Sequence, residues 1–125
     1  MKILLADDDP MVRELLTDFL SDLGHEVAAA ENGQELIKLA LAARPDLVIA
    51  DMRMPEMMGN SMIAMIDLYP PLAGMPVIMV TGVSKMEIDD AGIPPEIPVL
   101  FKPVDFEKLA AEINKIVNRK GGAGV

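Results

Sequence analysis

The sequence predicts a doubly wound α/β domain, a three-layer sandwich in which a five-stranded parallel sheet is flanked by five helices. Short apolar runs alternate with amphipathic stretches five times along the chain of 125 residues. The apolar runs contain few polar residues, which is typical of parallel strands that are buried on both faces. Right-handed crossovers limit how such units can be connected, so the expected strand order is 2-1-3-4-5.

The five strands are expected at residues 3–6, 26–30, 47–50, 77–80 and 97–101. The third consists entirely of apolar residues, and the second is a weaker strand. Turn-forming or capping residues follow each strand, which supports short strands of this length.

A stretch with helical spacing of apolar residues follows each strand. Four of these stretches begin with an expected N-cap residue, namely Asp9, Asn32, Ser84 and Asp105. The third helix carries Met62, Ile63, Ile66 and Tyr69 and is expected to stop at Pro70. The fourth must be short, because glycine and prolines follow it at Gly92, Pro94, Pro95 and Pro98.

Composition excludes several classes of function. The net charge of −9 repels nucleic-acid phosphates, so direct binding to DNA or RNA is not expected. The chain has no cysteine, which excludes disulfides, thiolate metal sites and cysteine nucleophiles. No signal peptide and no membrane span is expected, which predicts a cytoplasmic location. Residues 1–120 are predicted to form one domain, and residues 121–125 a flexible, glycine-rich tail.

Polar residues follow four of the strands, at the edge where chemistry is expected in such a sheet. If the strand order is 2-1-3-4-5, the first and third strands are neighbours. Asp7 and Asp8, which follow the first strand, would then meet Asp51, which follows the third. Thr81 and Lys102, after the fourth and fifth strands, would lie beside them.

Three carboxylates this close repel one another strongly and call for a cation. Oxygen ligands on an open edge suit Mg²⁺, which also takes phosphate oxygens. A carboxylate can act as a nucleophile on phosphorus and form an aspartyl phosphate. A metal and the amine of Lys102 would neutralise charge on the transferred group, and the hydroxyl of Thr81 could donate a hydrogen bond to it.

These residues resemble the receiver domain of bacterial response regulators, which has a flavodoxin-like fold. The resemblance runs from Lys2 to about Asn118, and each motif alone is weak, but four in order at the expected strand ends are specific. The motifs are ILLADDDP at residues 3–10, DMRMP at residues 51–55 followed by Gly59, TG at residues 81–82, and FKP at residues 101–103.

The resemblance implies a role for each residue of the site. Asp51 is the implied phosphoacceptor, and Thr81 and Lys102 contact the phosphoryl group. The implied Mg²⁺ ligands are Asp7, Asp8, Asp51 and the backbone carbonyl of Arg53. A cis peptide bond before Pro103 is also implied.

The resemblance further implies a signalling switch that catalyses only its own phosphorylation and dephosphorylation. The phosphoryl group would come from a histidine kinase or a phosphotransfer protein, and a downstream protein partner, not identified by the sequence, would respond to it. The chain would act as a monomer or a weak, phosphorylation-dependent dimer, with no membrane partner.

Three positions depart from the family pattern. Val99 stands where the family often has a tyrosine or phenylalanine that moves on activation, and Gly82 stands where alanine is usual. Arg53, two residues after Asp51, is hypothesised to shield the acyl phosphate from water.

Three other functions compete with this interpretation. A receiver-like scaffold that does not use phosphorylation fits Val99 but not the intact acidic site. A haloacid-dehalogenase-type phosphatase needs a second aspartate where Arg53 stands. An FMN carrier of the same fold needs a phosphate-binding loop where three aspartates stand, at residues 7–9.

Overall fold

A computed structural model describes residues 1–53 and 59–123 of the chain. The strands are β1 (Lys2–Ala6), β2 (Glu26–Ala30), β3 (Leu47–Ala50), β4 (Val77–Thr81) and β5 (Val99–Phe101). The helices are α1 (Pro10–Asp22), α2 (Gly33–Ala43), α3 (Gly59–Leu68), α4 (Lys85–Ala91) and α5 (Phe106–Ala123), with a 3₁₀ turn at Pro70–Leu72. The predicted alternation of strands and helices is confirmed.

The strands form one parallel sheet with the order β2-β1-β3-β4-β5, as predicted. Ala6 at the end of β1 lies opposite Ala50 at the end of β3, and Thr81 at the end of β4 lies opposite Phe101 at the end of β5. The carboxyl ends of these strands therefore line one edge of the sheet.

The sheet separates two hydrophobic clusters, because successive side chains of a strand point to opposite faces. Ile3 and Leu5 of β1 belong to one cluster, and Leu4 and Ala6 belong to the other. The first cluster contains apolar residues of α1 and α5, and the second contains apolar residues of α2, α3 and α4. This arrangement gives the predicted three layers.

The four predicted N-caps are present. Each side-chain oxygen accepts a hydrogen bond from a backbone N–H in the first turn of its helix, and the donor–acceptor distances are 2.8–3.2 Å. The pairs are Asp9 with Met11, Asn32 with Glu35, Ser84 with Glu87, and Asp105 with Lys108. These bonds satisfy amide groups that the helices themselves leave unpaired.

The last strand and the last helix differ from the prediction. β5 begins at Val99 and not at residue 97, because the Ile97 N–H donates to the Pro94 carbonyl in a turn and Pro98 has no N–H to donate. α5 continues to Ala123, so residues 121–123, which were assigned to the glycine-rich tail, are helical. Extending a formed helix fixes few new torsions, and glycine can adopt helical torsions.

Two predicted segments lie wholly or partly outside the described residues. These are the end of the loop after Asp51, at residues 54–58, and the last two residues of the tail. The domain boundary at residue 120 and the flexibility of the tail remain predictions. None of the helices in the described ranges is both long and apolar enough to cross a membrane.

Candidate functional site

The predicted site residues converge at the carboxyl edge of the sheet. Asp7 follows β1, Asp51 follows β3, Thr81 is the last residue of β4, and Lys102 follows β5. Carboxylate oxygens of Asp7, Asp8 and Asp51 lie within 4.8 Å of one another. The neighbouring positions of β1 and β3 bring these three acids together, as the strand order requires.

Asp51 is held at both carboxylate oxygens. Its Oδ1 accepts hydrogen bonds from the hydroxyl of Thr81 at 2.7 Å and from the backbone N–H of Arg53 at 3.2 Å. Its Oδ2 accepts from Nζ of Lys102 at 2.8 Å. Its own N–H donates to the Ala6 carbonyl, which extends the β1–β3 ladder by one bond. The carboxylate is buried and oriented from three strands.

Asp7 is the most deeply buried acid of the site, with 1% of its surface exposed. Its Oδ1 accepts from the N–H of Asp9 at 2.9 Å, and its Oδ2 lies 2.9 Å from Nζ of Lys102. Burial raises the pKa of Asp7, although the hydrogen bond from Lys102 acts in the opposite direction. Asp8, in contrast, is exposed and opens the acidic cluster to solvent.

Lys102 bridges the two buried acids with one ammonium group. Burial by itself lowers the pKa of Lys102, but the hydrogen bonds and charges of Asp51 and Asp7 outweigh burial, so the pKa is raised. Its backbone N–H donates to the Thr81 carbonyl at 2.7 Å, which fixes the chain beside β4. The peptide bond between Lys102 and Pro103 is cis, as the resemblance implied.

The donor set fits a magnesium ion. Three carboxylates offer hard oxygen ligands, and the exposed Asp8 leaves room for the water ligands that Mg²⁺ retains. The N–H of Arg53 donates to Asp51, so the backbone of this residue also borders the cluster. That the carbonyl of Arg53 is a metal ligand remains a prediction.

Two polar contacts near the site were not anticipated from the sequence. The guanidinium of Arg13 donates to the backbone carbonyl of Asp7 at 2.7 Å. The guanidinium of Arg53 pairs with Glu87 of α4, 34 positions along the chain. Neither contact has a periodic sequence signal, because each depends on where a long side chain meets another segment.

The chain is similar in sequence to known response regulators. A family model described as the response regulator receiver domain matches residues 3–114. The chain is 37% identical over 124 residues to the transcriptional regulatory protein GlrR of Escherichia coli, an alignment that covers 97% of this chain and 27% of GlrR. It is 34% identical over 118 residues to protein PilH of Pseudomonas aeruginosa, which covers 93% of this chain and 97% of PilH.

Solved structures show the same similarity. The chemotaxis protein CheY4 of Vibrio cholerae superposes with a TM-score of 0.82 at 28% identity, over 92% of this chain and 97% of CheY4. The N-terminal domain of a protein from Wolinella succinogenes gives a TM-score of 0.87 at 28% identity, over 98% of each chain. The chain thus spans 27% of the length of GlrR but nearly all of the smaller relatives.

Proposed function

Because this chain belongs to the response regulator receiver domain family, we propose that Asp51 is its phosphoacceptor and that a histidine kinase or phosphotransfer protein supplies the phosphoryl group. The observation that carries the proposal is the position of Asp51, a buried carboxylate with Thr81 on one oxygen and Lys102 on the other. Carboxylate oxygens of Asp7 and Asp8 lie within 4.8 Å of Asp51, so the three acids could hold one metal ion.

The proposed reaction is a transfer between two side chains. A carboxylate oxygen of Asp51 attacks phosphorus, the phosphorus–nitrogen bond of the donor phosphohistidine breaks, and the electron pair leaves with the imidazole. Asp7, Asp8, Asp51 and the Arg53 carbonyl would hold Mg²⁺, which would neutralise charge on the phosphoryl oxygens.

Lys102 and Thr81 have complementary roles in this proposal. Lys102 already lies between Asp7 and Asp51, so its ammonium can pair with a phosphoryl oxygen after only a small movement. The hydroxyl of Thr81, at 2.7 Å from Asp51, can donate to the same group. Both contacts would stabilise negative charge on the phosphoryl group.

Phosphorylation would then be transmitted through the loop that follows β4. The Thr81 hydroxyl also accepts a hydrogen bond from the N–H of Val83 at 3.3 Å, and α4 begins two residues later. If Thr81 turns toward the phosphoryl group, this loop changes its hydrogen bonding and α4 shifts. Val99 is half-buried and has no aromatic ring that could move on activation. The conformational change would therefore take place in α4 and in the loop that precedes it.

The proposed setting is a cytoplasmic two-component pathway. The protein would catalyse only its own phosphorylation and slow dephosphorylation, and a downstream protein partner would bind one of its two conformations. It would act as a monomer or a weak, phosphorylation-dependent dimer, without direct contact to nucleic acid or membrane.

Intact-protein mass spectrometry after incubation with acetyl phosphate tests the proposal. We expect one phosphoryl adduct in the wild type with Mg²⁺, and none without Mg²⁺ or in Asp51→Asn. Asp18→Asn, which changes an exposed acid of α1, is the matched control and should be labelled like the wild type. If neither acetyl phosphate nor a panel of phosphorylated histidine kinases labels the wild type, the phosphoacceptor proposal fails and the scaffold function is favoured.

A further inference from the structure

Arg13 is attached to the acidic edge although it belongs to the second turn of α1. Its side chain is 20% exposed, its Nη1 donates to the Asp7 carbonyl at 2.7 Å, and its Nη2 lies 4.0 Å from Glu31. The hydrogen bond to Asp7 is short, whereas the ion pair with the exposed Glu31 is at the limit of contact. The backbone of Asp7 is therefore the main partner of this guanidinium.

The contact falls where the backbone leaves the sheet. The N–H of Asp7 donates to the Ala30 carbonyl at 3.3 Å, and β2 ends at Ala30, so no further ladder position of β2 is available to β1. Arg13 supplies a donor for the carbonyl at that point. Asp7 is then held on one side by the end of β2 and on the other by α1.

A second set of bonds closes the same turn. The N–H of Arg13 donates to the Asp9 carbonyl at 3.0 Å, and the N–H of Asp9 donates to the Asp7 carboxylate at 2.9 Å. One residue of α1 thus contacts the turn at two carbonyls. The peptide groups on either side of Asp8 each make one of these hydrogen bonds, so the backbone that carries the Asp7 and Asp8 side chains is held in place.

The positive charge of Arg13 does not by itself favour Mg²⁺ binding at the acidic cluster. Arg13 and Asp8 line one cleft of about 310 Å³, together with Pro10, Glu31 and Asn32. A guanidinium beside a metal site repels a divalent cation, so its charge would weaken Mg²⁺ binding. Its hydrogen bond acts in the opposite sense, because a fixed turn presents the two carboxylates without a further loss of conformational freedom.

We propose that Arg13 is a positioning residue for the metal site, which acts through its hydrogen bond to the Asp7 carbonyl. This inference rests on the proposed Mg²⁺-dependent function. Partners outside the ligand shell typically change metal affinity by about 10- to 100-fold when they are removed.

Calorimetric titration of the full chain with MgCl₂ tests the role of Arg13. We expect Arg13→Met, which keeps the side-chain length but has no donor, to raise the Mg²⁺ dissociation constant about tenfold. Arg13→Lys should restore most of the affinity, because its ammonium can donate to the same carbonyl. Arg119→Met, at an exposed arginine of α5, is the matched control and should bind Mg²⁺ like the wild type.

Backbone NMR spectra recorded in EDTA provide a readout without metal. Arg13→Met should shift the amide signals of residues 7–9, and Arg13→Lys should shift them less. If Arg13→Met does not fold, Arg13→Gln, whose amide is too short to reach the carbonyl, replaces it in the comparison with Arg13→Lys.

Three outcomes would overturn the inference. One is unchanged or tighter Mg²⁺ binding in Arg13→Met, which would leave only an effect of charge. Another is an equal loss of affinity in Arg13→Lys and Arg13→Met. The third is a wild type that binds no Mg²⁺, and this result would remove the proposed metal site as well, so the two failures can be told apart.

Discussion

The centre of the sheet and its β5 margin differ in how tightly they are held. Every residue of β3 is buried, whereas no residue of β5 is buried, and Phe101 at its end is 41% exposed. The helix α4 precedes β5 in the chain, and Ile88 is the one buried residue of its seven. The proposed nucleophile, Asp51, follows the buried strand β3, whereas Lys102 follows the more exposed strand β5. The buried surroundings of β3 therefore hold Asp51 in place, and a conformational change requires the least free energy near β5 and α4.

The largest expected effect is a difference in stability loss between a substitution in β3 and one in α4. Ile49→Ala in β3 should lower the free energy of unfolding by about 3 kcal/mol, because a cavity in a strand covered on both faces cannot collapse. Ile88→Ala in α4 should cost about 1 kcal/mol, because a short surface helix can relax into the space. Urea denaturation followed by circular dichroism measures both. Equal losses would contradict the contrast.

The buried carboxylate of Asp7 should lower the free energy of unfolding of the protein, because burial disfavours its charged form. Burial raises the pKa of Asp7 above its unfolded value, near 4, against the opposing hydrogen bond from Lys102. The folded state therefore binds more protons in that range, and stability falls as pH rises through the window above about 4. The penalty is complete once pH exceeds the raised pKa of Asp7 in the folded state.

Asp7→Asn should consequently be more stable than the wild type at pH 7 without Mg²⁺, and the gain should shrink as pH approaches 4. Urea midpoints at pH 4 and pH 7 in EDTA provide the test. As an internal control, addition of Mg²⁺ should stabilise the wild type and not the variant. A variant that is less stable than the wild type at pH 7 would show that the Lys102 pair outweighs burial.

A smaller effect is expected from the link between the two regions. Arg53 pairs with Glu87 and so connects the loop after β3 to α4, but both side chains are partly exposed. Arg53→Ala should speed amide hydrogen exchange in α4 about two- to fivefold, in keeping with an exposed ion pair. Lys85→Ala, which removes the exposed pair with Asp89 within α4, is the control.

The same variant addresses the hypothesis that Arg53 shields the acyl phosphate. A shorter phosphoryl half-life in Arg53→Ala, followed by loss of the adduct in mass spectra, would support it. An unchanged half-life would contradict the shielding hypothesis and leave the side chain of Arg53 with its contact to Glu87.

The smallest effect is expected at Gly82, in the loop between β4 and α4. A Cβ added there would lie 3.8 Å from Cδ of Lys102, which is ordinary van der Waals contact. Gly82→Ala should raise the free energy of unfolding by about 0.5 kcal/mol, mainly because alanine restricts the unfolded chain. Thermal unfolding detects a change of this size, and a loss of stability would mean that the loop needs torsions that alanine avoids.

The sequence predicted the fold well because several independent signals agreed. Strand positions followed from apolar runs, and caps such as Asp9 and Asn32 followed from local hydrogen bonding that involves neighbours in the chain. The convergence of Asp7 with Asp51 also followed, since strand order alone brings those strand ends together. Each of these features depends on backbone geometry, which the pattern of residues largely determines.

Features that depend on long side chains were not predicted. Lys102 was expected near the site, but its simultaneous contact with Asp7 and Asp51 depends on its rotamer. The contacts of Arg13 with Asp7 and of Arg53 with Glu87 depend on the paths of two loops. The start of β5 at Val99 depended on a local turn that competed with the strand. In each case, the deciding energy difference is small and has no periodic signature.

The division of the apolar interior into two clusters has a consequence for how this protein can change over time. Leu16 of α1 and Ile113 of α5 share one cluster, whereas Ile63 of α3 belongs to the other, beyond the sheet. A substitution that alters the volume at Leu16 can be compensated within its own cluster, to which Ile113 belongs, but not by Ile63 in the other cluster. We therefore expect compensating substitutions to occur within each helical layer, and we expect the central strands β1, β3 and β4, which are buried on both faces, to tolerate the fewest changes.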